Sequence, residues 1–268
     1  MILPYNYWYF LSAIPPDICD SIIEHGLNKM YDQEKLHGSR STDATTGDWK
    51  HKDPILGDFT NTNVSAAHHT LASLKKKGVE STNTYIRDSK VVFLNDDWLY
   101  RIIWPFVQEA NKQAGWNWEW DFTENLQFTK YTPGQFYGWH ADSGAFPYEK
   151  FNPETDEVHR DANGDPILDV DNNPIPKNPH KTTIDNWVGK VRKLSVTISL
   201  NDPKEYKGGN LRFDLGPHND VARYHTCKEI RPKGSIIIFP SHTYHQVTPV
   251  TSGTRYSLVA WNLGKPFK

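Results

Sequence analysis

Trp139-His140-Ala141-Asp142 lies near the middle of the chain, and its reading decides how the rest is understood. On an extended strand, residues two apart point to the same face. His140 and Asp142 would therefore present an imidazole and a carboxylate side by side, as two legs of a divalent-metal site. Alone the pair is a weak signal, because the chain holds twelve histidines. A third ligand from another strand would complete two histidines and one carboxylate with open positions, an arrangement that suits non-haem iron.

Downstream of this pair the sequence is built from short strands. Residues 193–200, 210–214, 235–239, 243–250 and 255–262 are separated by Gly208-Gly209, Pro232-Lys233-Gly234 and Thr251-Ser252-Gly253-Thr254. That spacing predicts an all-β sandwich or barrel. Ser235-Ile236-Ile237-Ile238-Phe239 is apolar on both faces, which places it deep inside. Just upstream, Leu126-Gln127-Phe128-Thr129-Lys130-Tyr131 alternates as a strand before a Pro133-Gly134 turn.

Earlier still the pattern is mixed. Residues 7–14 read as an aromatic strand, and Pro15-Pro16-Asp17 opens a helix carrying Ile18, Ile22, Ile23 and Leu27. Residues 31–63 read as loops around a few short elements. Residues 66–77 read as a short helix whose adjacent His68 and His69 diverge toward solvent. Residues 85–93 form a strand. Asp96-Asp97 then caps a helix over residues 98–113, striped by Leu99, Ile102, Ile103, Phe106 and Val107 and ended by Gly115.

Residues 146–190 are the least regular part. Asp161-Ala162-Asn163-Gly164-Asp165-Pro166-Ile167 is echoed by Val170-Asp171-Asn172-Asn173-Pro174-Ile175. The acidic spacing resembles a calcium loop, but no glutamate stands at the closing position, so small hairpins are expected. An insertion of this length beside a candidate site is expected to act as a substrate-facing lid.

Composition narrows the function classes. Thirty Lys and Arg stand against thirty-two Asp and Glu, a net charge of −2, so composition makes no case for nucleic acid. Cys19 and Cys227 are the only cysteines, too few for a disulfide framework and consistent with a reducing compartment. Residues 1–11 are apolar but lack the basic start of a leader, and no run reaches the roughly 18 apolar residues of a membrane helix. The expectation is a soluble, intracellular protein. It would form one domain over residues 1–268, with a helical and mixed N-terminal support (1–123) and a β-core (124–268) carrying the 146–190 insertion.

His218, His225, His242 and His245 are the candidates for a third ligand. His218 and His225 flank a surface loop, whereas His242 and His245 follow the buried strand. The arginine ten residues after His245 separates the last two. If Arg255 begins the partner strand across the 251–254 turn, His245 stands five residues above that turn, about 16 Å at roughly 3.3 Å per residue. A small diacid could then chelate the metal at one end while Arg255 grips its far carboxylate with a planar fork.

Taken together, Tyr131-x-x-Gly134-x-x-x-x-Trp139-His140-x-Asp142, Gly208-Gly209-Asn210-Leu211-x-Phe213, Gly234-Ser235-Ile236-Ile237-Ile238-Phe239-Pro240, His245-x-Val247-x-Pro249-Val250 and Arg255-x-Ser257 resemble the iron- and 2-oxoglutarate-dependent dioxygenases. The nearest branch is the prolyl 4-hydroxylase-like one, with its PKHD-type hydroxylases. The resemblance covers residues 126–261 well and the upstream part more weakly, and the long insertion departs from it.

The resemblance implies a mainly β protein with flanking helices, its core a double-stranded β-helix (jelly-roll, cupin-like) with an N-terminal helical annex. It implies that His140, Asp142 and His245 bind Fe(II) and that Arg255 holds 2-oxoglutarate, with Tyr131 and Ser257 assisting. O2 is the other cosubstrate, and ascorbate an accessory reductant. The implied reaction hydroxylates a C–H bond, releasing succinate and CO2. The retained Asp142 favours hydroxylation over halogenation, whose enzymes lack that carboxylate. Trp139 and Trp261 are read as packing or pocket-wall residues.

The implied substrate is a prolyl residue in a peptide or protein, with a free amino acid or other small molecule as runner-up. An AlkB-type nucleic-acid demethylase would carry a second arginine where this chain has Trp261. A non-catalytic jelly-roll module would have no use for two histidines, an aspartate and a carboxylate-binding arginine in register.

Overall fold

The computed structural model of the chain describes residues 5–39, 41–46, 87–143, 146–160, 164–166, 168, 173–178, 180–216 and 223–267. The expected 66–77 helix with His68 and His69, the start of the 85–93 strand, His218 and most of the acidic repeat lie outside the described residues. In chain order the elements are β1 (Trp8–Phe10), α1 (Pro16–His37), β2 (Asp43–Thr46), β3 (Arg87–Leu94), α2 (Asp97–Gln113), β4 (Phe122–Thr123), β5 (Leu126–Tyr131), β6 (Phe136–His140), β7 (Glu149–Lys150) and β8 (Lys181–Thr182). They continue with β9 (Val191–Ser199), β10 (Tyr206–Gly208), β11 (Leu211–Asp214), β12 (Tyr224–Thr226), β13 (Ile236–Pro240), β14 (His245–Val247), β15 (Val250–Gly253) and β16 (Arg255–Gly264).

One hydrogen-bonded path runs β1-β13-β9-β16-β5-β3-β6-β14-β11-β12, every pair antiparallel. The link from β3 to β6 is only Arg87↔Tyr137 and Asp88↔Phe136. At that seam the sheet curls, so β6, β14, β11 and β12 face the longer wall formed by β13, β9, β16 and β5. This is a jelly-roll, with the site between the two walls.

Strand alternation divides the long wall into two buried faces. Phe128, Leu126, Leu194, Val196, Ile198, Ile236, Ile238, Leu258 and Ala260 join one apolar core with the helices. The intervening Gln127, Thr129, Tyr131, Ser195, Thr197, Ser199, Arg255 and Ser257 are also buried, but they turn into the barrel and are mostly polar. α1 buries Cys19, Ile22, Gly26 and Met30, and α2 buries Leu99, Ile103, Val107 and Ala110, in both cases at helical spacing. A third group, Leu211, Phe213, Ile237 and Phe239, fills the barrel end.

Several sequence expectations need correction. α1 runs to His37, into the segment expected to be loops, because Met30 is buried and Glu34 bonds Thr42 and Lys90. β2, which pairs with β3, is one of the short elements expected in that region. Asp96 makes no side-chain cap for α2, and its carboxylate instead meets His25 of α1 at 2.8 Å. The N-terminal strand is only Trp8–Phe10. The 243–250 strand splits in two, and β14 and β16 are not hairpin partners. β15 pairs with β10 through Tyr206↔Gly253, and Gly253 sits at a φ of 72° with no room for a Cβ. That separate pairing peels the chain away, so β16 joins β5 and β9 instead.

Within the insertion, antiparallel bridges Val158↔Pro176, Arg160↔Pro166 and Leu168↔Pro174 agree with small hairpins. Both cysteines are free and buried. Among the described residues no helix is long and apolar enough to cross a membrane.

Gly26 is where α1 meets the sheet. A Cβ there would lie 2.4 to 2.7 Å from the Phe128 ring. Overpacking of this kind costs about 1–3 kcal/mol, more than the roughly 1 kcal/mol that alanine gains in helix propensity. Gly26→Ala is therefore expected to lower stability in a urea titration. A midpoint at or above wild type would show that this contact relaxes freely.

Candidate active site

Strand β14 lies between β6 and β11, and its register sets His245 directly opposite His140 on one side and Phe213 on the other. β6 ends at His140, so Asp142 is not placed by strand alternation as its spacing suggested. Instead the Asp142 and Ser143 backbone N–H groups both donate to the Ser241 carbonyl, at 2.9 and 3.0 Å, just past the end of β13. The carboxylate is thus fixed from across the barrel.

Both imidazoles are oriented by their own backbone. His140 Nδ1 lies 2.7 Å from the Gly138 carbonyl, and His245 Nδ1 lies 2.9 Å from the Thr243 carbonyl. These contacts put the protons on Nδ1 and leave each Nε2 lone pair free for a metal. The Nε2 atoms are each 3.6 Å from an Asp142 oxygen, too far for hydrogen bonds. The three side chains converge, their ligand atoms all within 4.8 Å of one another. That donor set fits a divalent ion with open positions.

The electrostatics agree with that fit. Burial, helped by neighbouring His140, lowers the His245 imidazole from 6.5 to about 4, so it stays neutral. Burial alone would raise the Asp142 carboxyl. A proton on the facing His245 or His140, together with the permanent charge of Arg192, outweighs it and holds the group below the usual carboxylate range. Metal ligation requires a neutral imidazole and an ionised carboxylate.

The opposite wall carries Arg255, 2 % exposed and paired across the ladder with Tyr131. Its Nη1 donates to Ser257 Oγ at 3.2 Å, and its guanidinium lies 5.4 Å from the Tyr131 ring centre. Gly209 packs against its stem, where a Cβ would come within 2.8 Å of Arg255 Cδ. Among the described residues no carboxylate pairs with Arg255. A buried guanidinium without a counter-charge is costly, which makes this a natural seat for an anionic ligand. A single chamber brings together Tyr131, His140, Asp142, His245, Arg255 and Ser257, closed by Leu211, Phe239 and Val247. All six residues singled out in the sequence line it.

Other expectations divide. Trp261 walls the chamber, whereas Trp139 lies on the other face, 5.2 Å from the Tyr224 ring. His225 sits on β12 and bonds the Tyr7 hydroxyl at 2.9 Å, and His242 packs beside Trp118. Neither reaches the metal ligands.

Sequence reasoning missed the second layer. Arg192 bonds both Glu124 oxygens at 2.6 Å, stacks 4.1 Å from the Trp261 ring centre, and reaches the Asp142 carbonyl at 3.3 Å. Tyr137 stacks on His140 with ring centres 3.5 Å apart, and the Arg87 guanidinium lies over the Tyr137 ring, 4.6 Å from its centre. An arginine at a strand start was the local signal available, because its acid lies 68 residues away.

The 2OG-Fe(II) oxygenase superfamily has a sequence model that matches residues 126–262, just over half of the chain. The chain belongs to that superfamily. Among curated oxygenase relatives, a PKHD-type hydroxylase of Synechococcus sp. (strain CC9605) is 42% identical over 71 residues, 26% of this chain and 29% of the relative. A PKHD-type hydroxylase of Acinetobacter baumannii (strain AYE) is 35% identical over 86 residues, 29% of this chain and 35% of the relative. These matches therefore span about a third of the relatives' length. The viral collagen prolyl hydroxylase of Paramecium Bursaria Chlorella virus-1, solved with 2OG, shares 15% identity and a TM-score of 0.50 over 97% of both chains. At that identity the likeness is one of fold.

The lowered His245 value has a measurable consequence. As pH falls, the unfolded chain takes up this proton near 6.5 and the folded chain only near 4. The associated stability, complete above 6.5, is lost between those values. Chelator-treated protein should show a thermal midpoint that drops across this window, and His245→Gln should flatten that part of the profile. An identical slope in the variant would assign the loss to other groups.

Proposed function

We propose that this protein is an Fe(II)- and 2-oxoglutarate-dependent hydroxylase acting on a C–H bond of a prolyl residue in a peptide or protein. The observation that carries this reading is the convergence of His140, Asp142 and His245 on one wall with the buried Arg255, which has no carboxylate partner among the described residues, on the other. One domain would do this, residues 1–123 supporting the 124–268 core. The setting would be a reducing, intracellular one, with ascorbate as accessory reductant.

In this reading His140, Asp142 and His245 hold the iron through Nε2, a carboxylate oxygen and Nε2. The iron, with 2-oxoglutarate and O2, supplies the oxidising power for hydroxylation, and succinate and CO2 leave. The chain's own residues bind and orient. Arg255 takes the distal carboxylate of 2-oxoglutarate, and the Ser257 and Tyr131 hydroxyls add hydrogen bonds. Val247, Leu211 and Phe239 keep water from the chamber. Arg192, anchored by Glu124, steadies the backbone of Asp142. The prolyl choice over a free amino acid rests on the resemblance of the motif set and on the hydroxylase relatives.

The test is Fe(II)-dependent formation of succinate from 2-oxoglutarate, with mass spectrometry for a +16 Da product on candidate peptides and amino acids. His140→Ala or Asp142→Ala should abolish both. Arg255→Ala should weaken 2-oxoglutarate binding at least about thirtyfold, since losing one partner of a buried charge pair costs about 2–5 kcal/mol. Purified protein that neither binds 2-oxoglutarate with iron nor turns it over would refute the proposal.

A further inference from the structure

Like Arg255, Arg87 is a buried guanidinium, 7% exposed, with no carboxylate beside it among the described residues. Its Nε donates to Ser89 Oγ at 2.9 Å and its Nη1 to Gln127 Oε1 at 3.2 Å. Both acceptors are neutral, and Nη2 is buried without a hydrogen-bond partner. The positive charge is therefore held in place but not cancelled. Keeping it out of water costs free energy that an apolar residue would not.

The charge sits over Tyr137. The two residues are ladder partners across the short β3–β6 seam, so the pairing that curls the sheet also brings them together. Arg87 Cζ lies 4.6 Å from the centre of the Tyr137 ring. Tyr137 is in turn stacked on His140, with ring centres 3.5 Å apart and planes 13° from parallel. One face of a phenol cannot carry both groups at these distances, so Arg87 takes the face that His140 leaves. The order is guanidinium, phenol, imidazole, with the metal ligand last.

We infer that Arg87 and Tyr137 are positioning residues for the metal centre: the stack fixes the His140 ring, and the charge behind it favours the ferrous over the ferric ion. This rests on the proposed reading, in which His140 ligates iron. Turning the imidazole would slide it off Tyr137, so the stack adds to the Gly138 contact in aiming Nε2. A ferric ion carries one more positive charge than a ferrous one, so a fixed cation nearby disfavours it. With the effective dielectric of roughly 20 that suits buried sites, a unit charge at this remove changes the ferric-to-ferrous ratio by about tenfold. The other cations of the site are matched. Arg192 is paired with Glu124, and Arg255 faces the distal carboxylate of 2-oxoglutarate in the proposed reading. Arg87 is left to act on the ion, and the proposed reaction needs that ion ferrous.

The test is an anaerobic redox titration of the iron-loaded protein, followed by the electron paramagnetic resonance signal of the ferric ion. Arg87→Met removes the charge and keeps the length. It should raise the ferric-to-ferrous ratio about tenfold at a given potential, a midpoint about 59 mV lower for one electron. Arg87→Lys keeps the charge and should stay within about threefold of wild type. Arg87→Gln replaces Arg87→Met if a thermal melt shows that the latter has not folded. Tyr137→Leu should weaken Co(II) binding about tenfold and change the visible spectrum of the bound ion, as loss of support behind a ligand predicts. Tyr137→Phe keeps the stacked ring and should restore both. An unchanged midpoint in the uncharged variant overturns the inference, and so does an equal fall in Arg87→Lys, which would assign the shift to packing. Unaltered Co(II) affinity in Tyr137→Leu removes the role of the stack. Wild type that binds neither Fe(II) nor Co(II) would instead sink the underlying hydroxylase reading.

Discussion

The site depends on one pairing, the antiparallel register that sets His245 against His140. Because β14 is held by β11 on its other side, it has no freedom to slide without carrying Phe213 and the barrel end with it. A slip of β14 by one residue would turn His245 away from His140, to the opposite face. The Nδ1 contacts to Gly138 and Thr243 then fix rotation about each ring, so position and proton are both decided before any ion arrives.

A second constraint is that the long wall has two buried faces of different character. Its apolar face is covered by α1 and α2, which frees the inner face to be polar without loss of the core. The inner face accepts a cost there, since buried Arg255 has, among the described residues, a serine hydroxyl and an aromatic face but no carboxylate beside its guanidinium. Stability won on the helix side supports a destabilised charge on the ligand side. The same division explains why Phe128, on the apolar face, and Tyr131, on the polar face, belong to one short strand.

Much of this was legible because the informative residues lie close together or repeat with a short period. His140 and Asp142 are two apart, Arg255 and Ser257 are two apart, and the Ile236–Phe239 run declares its burial by being apolar on both faces. The path that brought them together was less legible. The expected β14–β16 hairpin is absent because β15 takes its own partner, yet His245 and Arg255 still face one chamber, from opposite walls of the curled sheet. The continuation of α1 to His37 was hidden because its last turns are polar outward and are held by Thr42 and Lys90, far along the chain.

By itself the sequence determined which chemistry-bearing side chains exist and that they ride on a β-core, since strand alternation and turn residues are local properties. It also pointed to the superfamily through a spaced set of motifs. Only the tertiary structure decided that Asp142 is placed by Ser241, that Arg192 and Glu124 brace it, and that the insertion walls a cavity beside the metal site. Each of these is a contact between residues many positions apart. Its existence depends on how the sheet curls at the β3–β6 seam, a geometry that no short window of sequence carries.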